Sequence, residues 1–328
     1  MNIYITLDYE LFVNDNTGDV EHCLLIPSNE FMDVCDKYGV KTTFFVDAAY
    51  LYRLDEFKDQ YASLNKDLEL VSQQIRNMVK RGHKVALHIH SQWYYANFDG
   101  SHWQMDFEHY KLSDMPQEKA DELLIKSLNL LKEISGQPID SFRAGGYSIQ
   151  TYKSFPELFL ANGINKDSSA LCGEKLVSAL HVYDYSKVKT GKCYSFDKEV
   201  AVKDENGCMR EYPISTFKVS FLKYCLSRIK NNRTPDNVVW GNGGDKQTKK
   251  VAAFIKHLLT KMFKGVNCFA TFDYPNCYDM EFWSRYIDDN SIEDLIIITH
   301  PKWLSTLSIK NLDVFLQKYH KNHNFSSI

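Results

Sequence analysis

The run DLIIIT, residues 294–299, has no polar alternation between its aspartate and its threonine. A strand with one wet face alternates, because successive side chains point to opposite faces. This run offers no face to water, so it reads as a strand covered on both sides. Such strands belong to mostly parallel sheets with helices packed on each face.

The rest of the chain supports that reading. Strand patterns fall at 1–7, 40–46 (VKTTFFV), 84–89 (KVALHI), 140–143, 211–217 and 266–272. Helical patterns lie between them. One has Ser28 as N-cap and runs to Tyr38, with Gly39 after it. Another carries Leu68, Val71, Ile75, Met78 and Val79 and closes at Gly82. The clearest spans 116–136, with Pro116 at its start and Gly136 past its end. Alternating strands and helices specify an α/β fold. About seven parallel strands over this length favour a (β/α) barrel. Residues 185–250 break the rhythm with Lys-, Asn- and Gly-rich segments, and read as a hairpin and loops inserted into a single domain covering 1–328.

Composition narrows the function classes. Lys and Arg number 39 against 42 Asp and Glu, a net charge of −3, which gives no overall attraction to nucleic acid or anionic membrane. No apolar stretch approaches the ~18 residues of a membrane span. The first residues form a strand pattern rather than a secretion signal, so a cytoplasmic location is expected. Eight cysteines without a paired spacing read as free thiols.

Ligands bind parallel α/β sheets at the carboxyl ends of the strands. YITLDYELF (4–12) ends in Asp8 and Glu10, two residues apart and therefore on one face. Carboxylates that close repel unless a cation or a shared proton relieves them. ALHIHSQW (86–93) ends in His88 and His90, also two apart. Arg143 ends the fourth strand, His300 the last, and Asp273, closing CFATFDY, is a candidate to face the same place. His83 reads as a surface residue. Two histidines and a carboxylate leave positions open on a divalent ion. Zinc suits them first, with nickel, cobalt and iron also compatible. The second carboxylate is then free to act as a base.

These segments, in this order, resemble the NodB-like polysaccharide deacetylases, carbohydrate esterases of family four with a distorted (β/α) barrel. TLDYE (6–10) looks like the D-x-E variant of the first motif. RGHKVALHIHSQW (81–93) is similar to the metal-histidine stretch, FRAGGYSI (142–149) to the arginine motif, GINKDSSA (163–170) to the aspartate motif, EYPIST (211–216) to a strand of the D-x-E branch, and IIITHP (296–301) to the last motif. The resemblance implies Asp8 as catalytic base, Glu10 as metal ligand, Arg143 as the partner of Asp8, His300 as general acid and Asp167 as the residue that tunes it. The family spaces its metal histidines His-x-x-x-His. Here the second position is Gln92; His90 is the expected replacement ligand, with Gln92 as a weak ligand or a metal-poor site as the alternatives. Gln92, Trp93 and Tyr147 are candidates to contact substrate.

The implied reaction is metal-dependent removal of an acetyl group, N-acetyl before O-acetyl, from a sugar. The implied substrate is an acetylated sugar, sugar nucleotide or glycan precursor used in surface polysaccharide biosynthesis. Two alternatives stand beside it: a carbohydrate-binding protein of this fold whose site has decayed, and a hydrolase of a non-sugar C–N amide bond.

Overall fold

The computed structural model describes residues 1–232, 237–244, 265–274, 276–288 and 291–328. The first half alternates strand and helix: β1 Asn2–Tyr9, α1 Ile26–Lys37, β2 Thr43–Asp47, α2 Ala48–Phe57, α3 Ala62–Lys80, β3 Lys84–Ile89, the short α4 Gln92–Tyr95, and α5 Gln117–Ser135. Then come β4 Ser141–Ala144, β5 Lys166–Asp167, β6 Tyr194–Phe196, β7 Met209–Glu211, β8 Thr216–Val219, β9 Val266–Phe269, β10 Asp294–Thr299, α6 Thr306–Tyr319 and β11 Asn324–Phe325.

The main sheet runs β6-β7-β5-β4-β3-β2-β1-β10, with β11 also on β1. Among the described residues the seven strands from β7 to β10 are mutually parallel, and β6 pairs antiparallel with β7. The sheet curls. Ser215 N–H donates to Ile296 O at 3.1 Å, Ala270 N–H to Ser215 O at 3.0 Å and Ile298 N–H to Ala270 O at 3.0 Å, so chain from the far side reaches the free edge of β10. The result is a distorted (β/α) barrel.

Every residue of β10 is buried, as its unbroken apolar run requires. Ile3, Ile5 and Leu7 of β1, Phe44 and Val46 of β2, and Val85 and Leu87 of β3 share one core with Leu295–Ile298. Helix α5 ends where Gly136 adopts a left-handed φ of 65°, a conformation that costs glycine nothing. Among the described residues no disulfide joins the cysteines. Among the described residues no helix is long and apolar enough to cross a membrane.

Three local expectations change. Ser28 does not cap α1; it is buried inside the helix, because the chain is already helical over Glu21–Leu25 and the carbonyls of that turn take the cap's place. The strand expected at 211–217 divides into β7 and β8. Pro213 lies at the break and has no N–H to extend the ladder. The hairpin read at 185–250 is β6–β7, and it lies in the main sheet, with β7 as a barrel strand. The parts of that stretch at 233–236 and 245–250 lie outside the described residues.

Candidate active site and metal centre

The parallel register sets the polar strand ends side by side. Asp8 faces Phe45, Asp47 pairs with His88, His88 with Arg143, and Phe142 with Asp167. Asp8, Glu10, His88, His90 and Arg143 are all buried there, and His300 is half-buried beside them.

Glu10 joins the two histidines. Its Oε2 lies 3.0 Å from His88 Nε2 and 2.5 Å from His90 Nε2. The three donor atoms all fall within 4.8 Å of one another. His88 Nδ1 lies 2.8 Å from the carbonyl of Arg143. A carbonyl only accepts, so Nδ1 carries the proton and Nε2 faces Glu10. Metal-ligating histidines are held in this way. A lone pair on Nε2 against a carboxylate needs positive charge between them, either a second proton or a cation. Burial lowers the His88 pKa, but Asp8, Glu10 and Asp47 outweigh it and lift it to about 9. Burial likewise raises Glu10, while Lys302 and the two histidines hold it well below the usual carboxylate range. A negative donor set this dry fits a divalent ion.

Gly145 makes room for the cluster. A Cβ there would meet the Ile89 carbonyl at 2.5 Å and His90 Nδ1 at 2.8 Å. The glycines of FRAGG thus let the β4 loop pass across the end of β3.

Arg143 is completely buried and spends its guanidinium on four bonds. It donates to Asp8 Oδ1, to Ser168 O at 2.9 Å, to Ser168 Oγ at 2.8 Å and to Thr6 Oγ1 at 2.9 Å. Its plane also lies over the Phe45 ring at 4.1 Å. Asp8 is thereby anchored through one oxygen. Its other oxygen, Oδ2, stands 3.7 Å from His300 Nε2.

His300 is held by Asp273. Asp273 Oδ2 lies 2.7 Å from His300 Nδ1, Oδ1 accepts the His300 backbone N–H at 2.7 Å, and Thr299 Oγ1 also donates to it. Burial lowers the His300 pKa, and the charges of Asp273, Asp8 and Glu10 raise it by more, so the protonated form is favoured.

The contact expected of Asp167 is not made. Asp167 is buried on Ser169, accepting from its N–H at 3.1 Å and its Oγ at 2.8 Å, and it hydrogen-bonds Glu211. Burial raises both acids, Glu211 well above its usual range. The physical reason is topological. Asp167 ends β5, with four strands between it and β10, whereas Asp273 comes off the loop after β9 that bonds directly to β10.

Two expected substrate contacts also fall away. Trp93 is completely buried, donates from Nε1 to Asp47 Oδ2 at 2.8 Å and packs on Tyr50 and Trp103. Gln92 is equally buried, and neither of its amide atoms has a partner among the described residues. Tyr147 does line a cavity of about 160 Å³ beside His300, together with Tyr274 and Trp303. His83 is buried rather than exposed. Its Nδ1 accepts the Thr42 N–H at 3.2 Å, and burial lowers its pKa to about 4, so it is a neutral core residue.

Sequence reasoning missed Asp47, Lys302 and Trp303. Asp47 is the polar end of β2, one residue beyond the apolar run, and it accepts His90 N–H at 3.2 Å. The strand-end test would have found it. Lys302 and Trp303 sit on a short turn after His300 and carry no periodic signal.

The family model for polysaccharide deacetylases matches residues 27–154, a span that contains His88, His90 and Arg143. Over that span, which is less than half of the chain, the protein is similar to the polysaccharide deacetylases. Among solved structures, the chain is similar to a Mycobacterium smegmatis protein assigned to the polysaccharide deacetylases, at 13% identity and a TM-score of 0.50, over 99% of this chain and 86% of that one. It is also similar to the polysaccharide deacetylase Bc1974 of Bacillus cereus (11% identity, TM-score 0.41, 99% and 91% covered) and to PuuE allantoinase (11%, 0.47, 99% and 87%). At 13% identity the first of these likenesses concerns the fold alone. Comparison with curated proteins returns no match.

Proposed function

We propose that this protein is a polysaccharide deacetylase family member, a metal-dependent hydrolase housed in one domain that removes an acetyl group from an acetylated sugar or glycan precursor. N-acetyl is the expected group and surface polysaccharide biosynthesis the expected setting. The observation that carries the proposal is the pairing of Asp8 Oδ2 with His300 Nε2 across 3.7 Å, next to the Glu10–His88–His90 cluster. That separation is too long for a hydrogen bond and suits a water or a reacting group between base and acid.

Asp8 takes a proton from water through Oδ2 while Arg143 holds Oδ1. The water oxygen attacks the acetyl carbon. As the C–N bond breaks, His300 gives its Nε2 proton to the leaving amine, and acetate and a free amino sugar result. A divalent ion held by Glu10, His88 and His90 would polarise the carbonyl and acidify the water. Trp303, 39% exposed at the cavity, is the aromatic surface available to a sugar ring, in place of the buried Trp93.

Acetate release from N-acetylated and O-acetylated sugars, measured with elemental analysis after soaking in zinc, nickel or cobalt, tests the proposal. His88→Ala is expected to lose both ion and acetate release. Folded protein that takes up none of these ions overturns it.

The acid assignment has its own test. Asp273→Asn removes the charge that raises His300, so the alkaline limb of the rate profile, where the acid deprotonates, is expected to move to lower pH. The maximal rate is expected to fall about 10²–10⁴-fold, the usual value of a positioned acid. Asp167→Asn is expected to leave that limb in place. The reverse pattern in kcat/KM against pH would return the tuning role to Asp167.

A further inference from the structure

Lys302 follows His300 by two residues and is only 7% exposed. Lysine is almost never buried without a partner. Its ammonium has three protons, and each has a destination. Nζ lies 2.9 Å from Glu10 Oε1, 2.8 Å from the Leu11 carbonyl and 5.1 Å from the centre of the Phe12 ring. The backbone around it is clamped as well. A Cβ on Gly241 would fall 2.0 Å from the Lys302 carbonyl oxygen, so residue 241 can pass there only as glycine. This charge is fixed in place, unlike that of a surface lysine.

Its position divides Glu10 in two. Oε2 faces His88 and His90, and Oε1 faces Lys302. A carboxylate shared in this way offers one oxygen to a metal rather than two. An ammonium on the other oxygen also opposes a dication, and the opposition is strong where little water screens it.

We propose that Lys302 is a resident cation that sets the metal affinity of the Glu10–His88–His90 cluster, keeping it weaker than the three donors alone would make it. The inference rests on the metal-centre reading above. It assigns Lys302 as a positioning residue that acts through Glu10 and touches no reacting atom.

The test is titration of the full chain with Zn²⁺ or Co²⁺ against a chromophoric chelator. Lys302→Met is expected to bind the ion at least tenfold more tightly than the wild type. Lys302→Arg, which keeps the charge, is expected to stay within about threefold, since both side chains are cationic at neutral pH. Lys302→Gln provides a second neutral variant should the methionine form fail to fold, and circular dichroism checks each. Equal or weaker binding by the folded neutral variants overturns the role of Lys302 and leaves the metal centre standing. No binding by either wild type or variants overturns the metal centre and this inference with it.

Discussion

Asp8→Asn is expected to lower the rate of acetate release by about 10³-fold, within the range general-base catalysis supplies. The asparagine oxygen can still accept from Arg143 Nη1, so the fold around the guanidinium is spared. Glu10, His88 and His90 are untouched, so ion content should stay at the wild-type level. What is lost is the proton acceptor at Oδ2, the atom 3.7 Å from His300. Acetate assay, elemental analysis and thermal unfolding on the same preparation separate these effects. A variant that folds, keeps its ion and still works within tenfold of the wild type would remove Asp8 from its role as base.

Arg143→Met is the most damaging single change expected for stability, about 3–5 kcal/mol, the cost of breaking a buried ion pair from one side. Arg143 is 0% exposed, and the substitution strands four acceptors at once: Asp8 Oδ1, Ser168 O, Ser168 Oγ and Thr6 Oγ1. Asp8 suffers most, because a carboxylate 3% exposed loses the arginine paired with it. Arg143→Lys should recover little. A lysine ammonium cannot span strands β1, β4 and the Ser168 loop with a planar fork, nor lie flat on Phe45. Urea unfolding of both variants measures this. A loss below about 1 kcal/mol, the worth of an exposed pair, would mean that Arg143 is not the keystone its contacts indicate.

The candidate site was legible where local chemistry and strand period coincide. Asp8 with Glu10, and His88 with His90, are each two residues apart at a strand end, and a two-residue spacing puts side chains on one face whatever the rest of the chain does. Asp47 was legible in principle, but it closes an apolar run with no second polar residue to mark it. Asp273 could be named only as a candidate, because nothing in its segment says which histidine it will meet. Gln92 and Trp93 misled because they directly follow the histidines, yet the chain turns into α4 after Ser91 and points both side chains inward.

The sequence by itself determined the order of strands and helices, the burial of β10 and the facing pairs of acids and histidines. These depend on hydrophobic period and backbone geometry, which act over a few residues. Only the tertiary structure decided that Asp273 rather than Asp167 holds His300, that Asp167 pairs in register with Glu211, and that Lys302 turns its charge onto Glu10. Those partners are 27, 44 and 292 residues apart.

Which carboxylate reaches which histidine depends on how the sheet curls and which loop bonds to β10. Residue spacing alone does not encode that closure.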